Sequence, residues 1–153
     1  MHANKIKEFL DRNKVKYVSI VHSPAYTAQE VAESAHISGR EIAKTVVVKL
    51  NGAFALAVLP ADRKVVLHDL RELTGCDQAR FASEDEFRKL FPDCERGAMP
   101  PFGNLYELAV YVADCLAKDE EIAFNAGTHT ELIRMRFDDF ERLVKPKVLQ
   151  FTT

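Results

Sequence analysis

The stretch from Thr45 to Leu59 limits the possible folds more than any other part of the chain. Thr45 to Leu50 is β-branched and apolar, Asn51-Gly52 supplies the positive backbone angles of a tight turn, and Ala53 to Leu59 resumes an apolar run. This pattern predicts an antiparallel hairpin. Its apolar strands have to be buried by other layers. The chain of 153 residues, 47% hydrophobic and 29% charged, is long enough to bury roughly two thirds of its unfolded surface in one core. One domain spanning 1–153 is therefore expected.

The rest of the chain supplies the covering layers. Ile6, Phe9 and Leu10 fall on one helical face, and Tyr17 to Val21 reads as a short strand ending at His22-Ser23-Pro24. Thr27 and Glu30 have capping-box spacing ahead of a helix over about 28–35. Leu67, Leu70 and Leu73 form a stripe that stops at Gly75, and Ser83 with Glu86 opens a further helix through Phe87 and Leu90. Residues 92–103 hold too many prolines and glycines for regular structure, so a loop is expected there. Ala109–Val112, Ile122–Asn125 and Glu131–Met135 read as strands, and Asp138 is placed to cap a last helix that Pro146 ends. The expected class is α/β of the α+β type: a single mixed, largely antiparallel sheet or partly closed barrel with helices packed around it.

Charge and cysteine usage exclude several functions. A formal net charge of -2 does not suit a protein that grips long stretches of nucleic acid, so DNA is not an expected partner. The first ten residues mix Lys5, Lys7 and Glu8 with apolar positions, which argues against export or membrane insertion and for a cytoplasmic protein. Cys76, Cys94 and Cys115 form no CxxC pair and read as reduced thiols. A thiol enzyme using Cys94 is the weakest of the readings considered. The five histidines lack metal-ligand spacing, so neither a metal nor a cofactor is expected.

Three local features can carry chemistry, and each has a plain alternative. Lys44 opens a strand, where its ammonium can fix a phosphate or polarise a carbonyl; taken alone, these residues favour a snorkelling surface lysine. Gly97 to Pro101 forms a stiff wall able to orient an ester by its main chain, or simply a rigid crossing. His129, in a polar turn after Gly127 and Thr128, can bind a hydroxyl or relay a proton, or merely face solvent.

Taken together, Ala43-Lys44-Thr45-Val46-Val47, Gly97-Ala98-Met99-Pro100-Pro101-Phe102-Gly103 and Phe124-Asn125-Ala126-Gly127-Thr128-His129-Thr130-Glu131-Leu132 resemble the three signature segments of the YbaK/prolyl-tRNA-synthetase-associated editing family. The resemblance runs from the first helix to Pro146 and includes His22-Ser23-Pro24. It implies a YbaK-like fold and a trans-editing deacylase that hydrolyses the ester of a mischarged aminoacyl-tRNA. By that resemblance Lys44, Gly97, Pro101 and His129 are the catalytic set. Tyr26, Thr27, Thr45, Ala98, Met99, Pro100, Phe102, Gly127 and Thr128 are candidate substrate contacts. Thr45 stands where the subgroup acting on alanyl-tRNA for proline has asparagine.

The implied partner is the aminoacyl-tRNA acceptor end, with a synthetase as a further candidate and a monomer as the expected state. Lysines and arginines near both ends, among them Lys5, Lys7, Arg134, Arg136 and Arg142, are candidates for an acceptor-stem footprint, although acids are interleaved with them. The competing reading is a module that binds a transfer RNA end or a nucleotide without hydrolysing it.

Overall fold

A computed structural model describes residues 2–22 and 40–153. The expected helix over 28–35 and its Thr27/Glu30 cap lie outside the described residues. The helices are α1 (His2–Arg12), α2 (Leu67–Thr74), α3 (Glu84–Leu90), α4 (Asp114–Ala117) and α5 (Phe137–Val144). The strands are β1 (Tyr17–Val21), β2 (Ile42–Leu50), β3 (Ala53–Pro60), β4 (Ala79–Phe81), β5 (Ala109–Ala113), β6 (Glu121–Asn125), β7 (Glu131–Arg136) and β8 (Lys147–Leu149). No helix among the described residues is long and apolar enough to cross a membrane.

All eight strands join one sheet in the order β1-β7-β6-β2-β3-β5-β8, with β4 also paired to β2. Four pairings are antiparallel and three are parallel. The sheet is open, so of the two forms expected it is not the partly closed barrel: β1 and β8 end the order without meeting. The β2–β3 hairpin is its centre, with Asn51 (φ 48°) and Gly52 (φ 84°) both left-handed, as a tight primed turn requires.

Both faces of the hairpin are covered. Ala43 and Val47 face a large core with Leu56, Val58, Phe124, Ile133 and the buried residues of α1 and α5. Val48, Leu50, Ala57 and Leu59 face the other side, against Leu70 of α2 and Phe151. This double burial explains why β2 and β3 read as continuous apolar runs rather than as an alternation.

Several boundaries differ from expectation for identifiable reasons. Asp138 does not cap α5; Arg136 holds the cap position and Asp138 sits in the first turn, where its charge favours the helix dipole. Leu73 is half exposed, because α2 lays down only Leu70 fully. The Ser83/Glu86 capping box forms as expected. Strands β4 and β8 and helix α4 are too short to impose a periodicity, and none of them was expected.

The loop over 92–103 is anchored by Phe102, which is fully buried. Its ring packs against Phe9, Phe124 and Phe140 at centroid distances of 5.9, 5.4 and 5.5 Å. Gly103 follows because a Cβ there would sit 2.5 Å from Val110 Cγ2 and 2.6 Å from the Leu108 carbonyl oxygen. Phe102→Ala is expected to lower the unfolding free energy by about 3–5 kcal/mol, read from urea denaturation, because the cavity left in this aromatic cluster cannot collapse.

Candidate active site

The loop after Pro92 and the turn after β6 are joined mainly through their main chains. The Glu95 N–H donates to the Gly127 carbonyl (2.8 Å), and the Gly127 N–H donates to the Ala98 carbonyl (2.9 Å). The side chains add two bonds. The His129 N–H donates to Glu95 Oε1 (2.7 Å), and its Nε2–H donates to the Arg96 carbonyl (2.5 Å). The imidazole is buried, 7% exposed, so its contact with that carbonyl is shielded from competing water.

Gly97 follows with φ 81°, a left-handed angle that L side chains rarely adopt. A Cβ there would lie 3.6 Å from His129 Cε1, an ordinary contact, so backbone angle rather than space demands the glycine. A cavity of about 530 Å³ opens beside this junction, lined among the described residues by Phe87, Arg96, Gly97 and His129.

Strand register relates Lys44 to the same junction. The parallel β2–β6 ladder covers only Ile42↔Ala123 and Ala43↔Phe124, and the β2–β4 ladder begins at Val48↔Phe81. Positions 44–47 of that edge thus face a split between β6 and β4. The Glu41 carbonyl accepts from Ala123 and the Val47 carbonyl from Ala82 on this edge, while the Ile42 carbonyl accepts from Ala61 on the other. By alternation the main-chain groups of Thr45 point into the split. Beyond Asn125, the chain turns to the loop over 95–98 instead of to β2.

The side chains of Lys44 and Thr45 leave opposite faces of β2. Lys44 shares the face of Ile42, and the next position in register on β6 is Asn125. Burial pushes the Lys44 ammonium below its ordinary range; Lys64 adds to this and Asp62 opposes it. Thr45 shares the face of Ala43, and its Oγ1 is buried with no hydrogen-bond partner among the described residues, as is Asn125 Oδ1. Asn125, Glu95 and Arg96 were not singled out from sequence. A carboxamide ending an apolar strand was the available signal for the first, whereas the other two act through a turn pairing that sequence does not display.

The remaining candidates divide between this junction and the core. Ala98, Pro100, Pro101 and Gly127 are buried along the loop and turn, and Thr128 Oγ1 lies 3.4 Å from Thr130 Oγ1. Met99 is nearly buried and lines a second cavity beside Phe87 and Arg96. Phe102, expected as a pocket wall, is enclosed by three other aromatic rings and holds the loop from beneath. Tyr26 and Thr27 lie outside the described residues. No group of three potential ligands that could hold a metal exists among the described residues.

Comparison with known proteins identifies the frame. Residues 22–143 match the aminoacyl-tRNA editing domain. The chain belongs to the aminoacyl-tRNA editing family. It is 28% identical over 142 residues to the prolyl-tRNA editing protein ProX of Acetoanaerobium sticklandii, covering 89% of this chain and 86% of that protein. It is 31% identical over 138 residues to the multifunctional Ser/Thr-tRNA deacylase ProXp-y of Escherichia coli (strain K12), covering 86% and 81%. A crystal structure described as a candidate trans-editing enzyme for prolyl tRNA synthetase superposes with a TM-score of 0.85. It is 22% identical and covers 99% of this chain and 97% of that one, a likeness of fold.

Within this editing-family frame Cys94 is an unsuitable nucleophile. Burial pushes its thiol up to about 11, only partly offset by the Tyr106 hydroxyl 3.6 Å away. The thiolate needed for attack is therefore scarce at neutral pH. Iodoacetamide at pH 8 is expected to label native Cys94 far more slowly than the unfolded chain, as followed by mass spectrometry.

The lowered Lys44 pKa has a sign that can be checked. Between the folded-state value and the ordinary 10.5 the unfolded chain binds more protons, so stability rises with pH across that window. Lys44→Met is expected to abolish this rise and to leave the protein at least as stable at neutral pH, measured by thermal unfolding across a pH series.

Proposed function

We propose that the protein is a trans-editing deacylase that hydrolyses the ester of mischarged aminoacyl-tRNA, with Lys44, Gly97, Pro101 and His129 as its catalytic set. The observation that carries this reading is the double pairing of Gly127 with Glu95 and Ala98. It holds the loop and the histidine turn together, and the β6 strand that leads into that turn pairs with β2 up to Ala43, the residue before Lys44. Family membership and the deacylase names of the relatives support it.

An aminoacyl ester is activated already, so placement of water supplies much of the required acceleration. The loop from Gly97 to Pro101 presents main-chain groups in a fixed order, with Ala98, Pro100 and Pro101 buried behind it. The water oxygen attacks the ester carbonyl carbon. The C–O bond to the ribose then breaks, and the water's proton reaches the leaving ribose oxygen by way of the neighbouring ribose hydroxyl. Lys44 stabilises the oxyanion that develops on the carbonyl. Partial desolvation strengthens that interaction. His129 clamps the loop through the Arg96 carbonyl and closes one wall of the pocket.

Thr128, next to His129 in the turn, brings a hydroxyl to the edge of the pocket, which suits a small or hydroxyl-bearing aminoacyl group; the Thr45 hydroxyl, a candidate contact from sequence, is buried on the face of β2 opposite Lys44. Size alone discriminates by only about 1–3 kcal/mol per methylene. The working state in this reading is a cytoplasmic monomer acting on the acceptor end, alone or recruited by a synthetase. The deciding experiment is a panel of mischarged transfer RNAs: wild-type protein releases the amino acid from at least one, and Lys44→Ala lowers that rate by about a hundredfold or more. Equal rates would remove Lys44 from the chemistry, and an inert wild type would remove the reading itself.

A further inference from the structure

The cavity beside Gly97 and His129 continues past the ester. A second cavity of about 290 Å³ shares Phe87 and Arg96 with it and extends along Arg88, Phe91 and Met99. Together they make a groove that starts at the junction described above and runs along α3, with two aromatic rings, Phe87 and Phe91, and two guanidiniums on its walls.

The two guanidiniums in this groove keep donors to spare. Arg88 Nη2 and Arg96 Nη1 both reach the same oxygen, Glu84 Oε1, at 2.9 and 3.1 Å. One carboxylate therefore serves two guanidiniums, whose side chains are 67% and 73% exposed. Each has further N–H donors in its planar fork. Glu86 is paired with Arg80 and Lys49, whereas Glu95 on the groove wall and Asp93 accept only from the neutral His129 N–H and Tyr106 hydroxyl and keep their charge, so they oppose an incoming anion as Glu84 does. Asp85 and Lys89, one helical turn apart, offset each other in charge.

The basic residues near the chain ends differ. Lys7 pairs with Glu131, Arg134 with Glu41 and Glu121, Arg136 with Asp138, and Arg142 with Asp139. These four each have at least one acid of their own, whereas Lys5 lies 3.9 Å over the Tyr106 ring.

We infer that the groove along Phe87, Arg88 and Arg96 seats the single-stranded 3′ end of the RNA substrate. The terminal base stacks on Phe87, the adjoining phosphate is held by Arg88 and Arg96, and the ester lies at Gly97 and His129. This inference rests on the deacylase reading and adds the part of the protein that binds the nucleic acid. Phe87 is partly buried against the core and keeps part of its ring on the cavity wall, and an accessible ring face beside arginine forks is the combination by which single-stranded RNA is held, since every base offers a π face and every link a phosphate. Glu84 tempers the site: it orders both guanidiniums and opposes the incoming anion.

The test uses three probes: mischarged transfer RNA, aminoacyl-adenosine, which carries the base and ester without a phosphate, and an uncharged single-stranded RNA with the transfer RNA 3′ sequence. With transfer RNA, Arg88→Ala/Arg96→Ala is expected to raise KM roughly tenfold while kcat stays within about twofold. With aminoacyl-adenosine, which has no phosphate for the guanidiniums to hold, the rise in KM of that variant is several-fold smaller than with transfer RNA. For the uncharged RNA, followed by fluorescence anisotropy, the slope of log affinity against log salt shrinks by about 1.4, two contacts at about 0.7 each. Phe87→Ala weakens all three probes about tenfold and Phe87→Tyr restores them, while Glu84→Gln tightens RNA binding.

If the arginine variants leave KM and the salt slope unchanged, the groove is not the RNA seat even though deacylation stands. If the uncharged RNA binds with this dependence but no mischarged substrate is hydrolysed, the groove stands and the deacylase reading falls.

Discussion

Gly127 gives its N–H to Ala98 and takes an N–H from Glu95, and the arrangement of the candidate site hangs on that exchange. Without it the loop after Pro92 would depend on the two His129 bonds, the Tyr106–Asp93 bond and Phe102, and the main chains of loop and turn would no longer be joined. The two bonds are main-chain bonds beside buried residues, where water competes poorly. They fix Gly97 in a left-handed angle at the rim of the cavity. The His129 imidazole completes the closure by donating to the Arg96 carbonyl. The histidine is in this sense a part of the scaffold as well as a wall of the pocket.

The division of β2 between partners explains why a site exists at this place in the sheet. A nine-residue strand paired along its whole length would offer no main-chain groups to a ligand. Here β6 covers the first two residues on one edge and β4 the last three, leaving the stretch around Lys44 and Thr45 outside both ladders. Two buried oxygens without partners among the described residues, Thr45 Oγ1 and Asn125 Oδ1, lie at this split. An unpaired buried acceptor is destabilising by about 1–3 kcal/mol, so such atoms concentrate where something other than the fold sets the requirement.

Much of the fold was legible in the sequence because its long elements carry their own signals. The hairpin announced itself through Asn51-Gly52 between apolar runs, and α3 through Ser83 and Glu86. The three later strands emerged within a residue or so of their bounds. Strands β4 and β8 did not, since three residues cannot display a period and their strand character comes from the neighbour they pair with. The site was legible in its residue types but not in its assembly. Lys44 and His129 stood out as polar residues at element ends, whereas the role of Glu95 depends on a partner more than thirty positions away. Phe102 illustrates the converse: an aromatic in a glycine–proline loop suggests a pocket wall, yet the surrounding phenylalanines claim it for the core.

The hydrogen bonds that join the loop to the turn come largely from peptide groups, and this bears on how such a catalyst can diversify. Amide and carbonyl positions do not change when a side chain is exchanged, provided the glycine angles and the aromatic anchor persist. Residues at the rim can then be substituted to admit a larger or more polar amino acid while the reacting geometry stays as it was. A lineage built on such a frame can alter its clientele by point mutation alone, and proteins that share under a third of their residues can still have the same machinery.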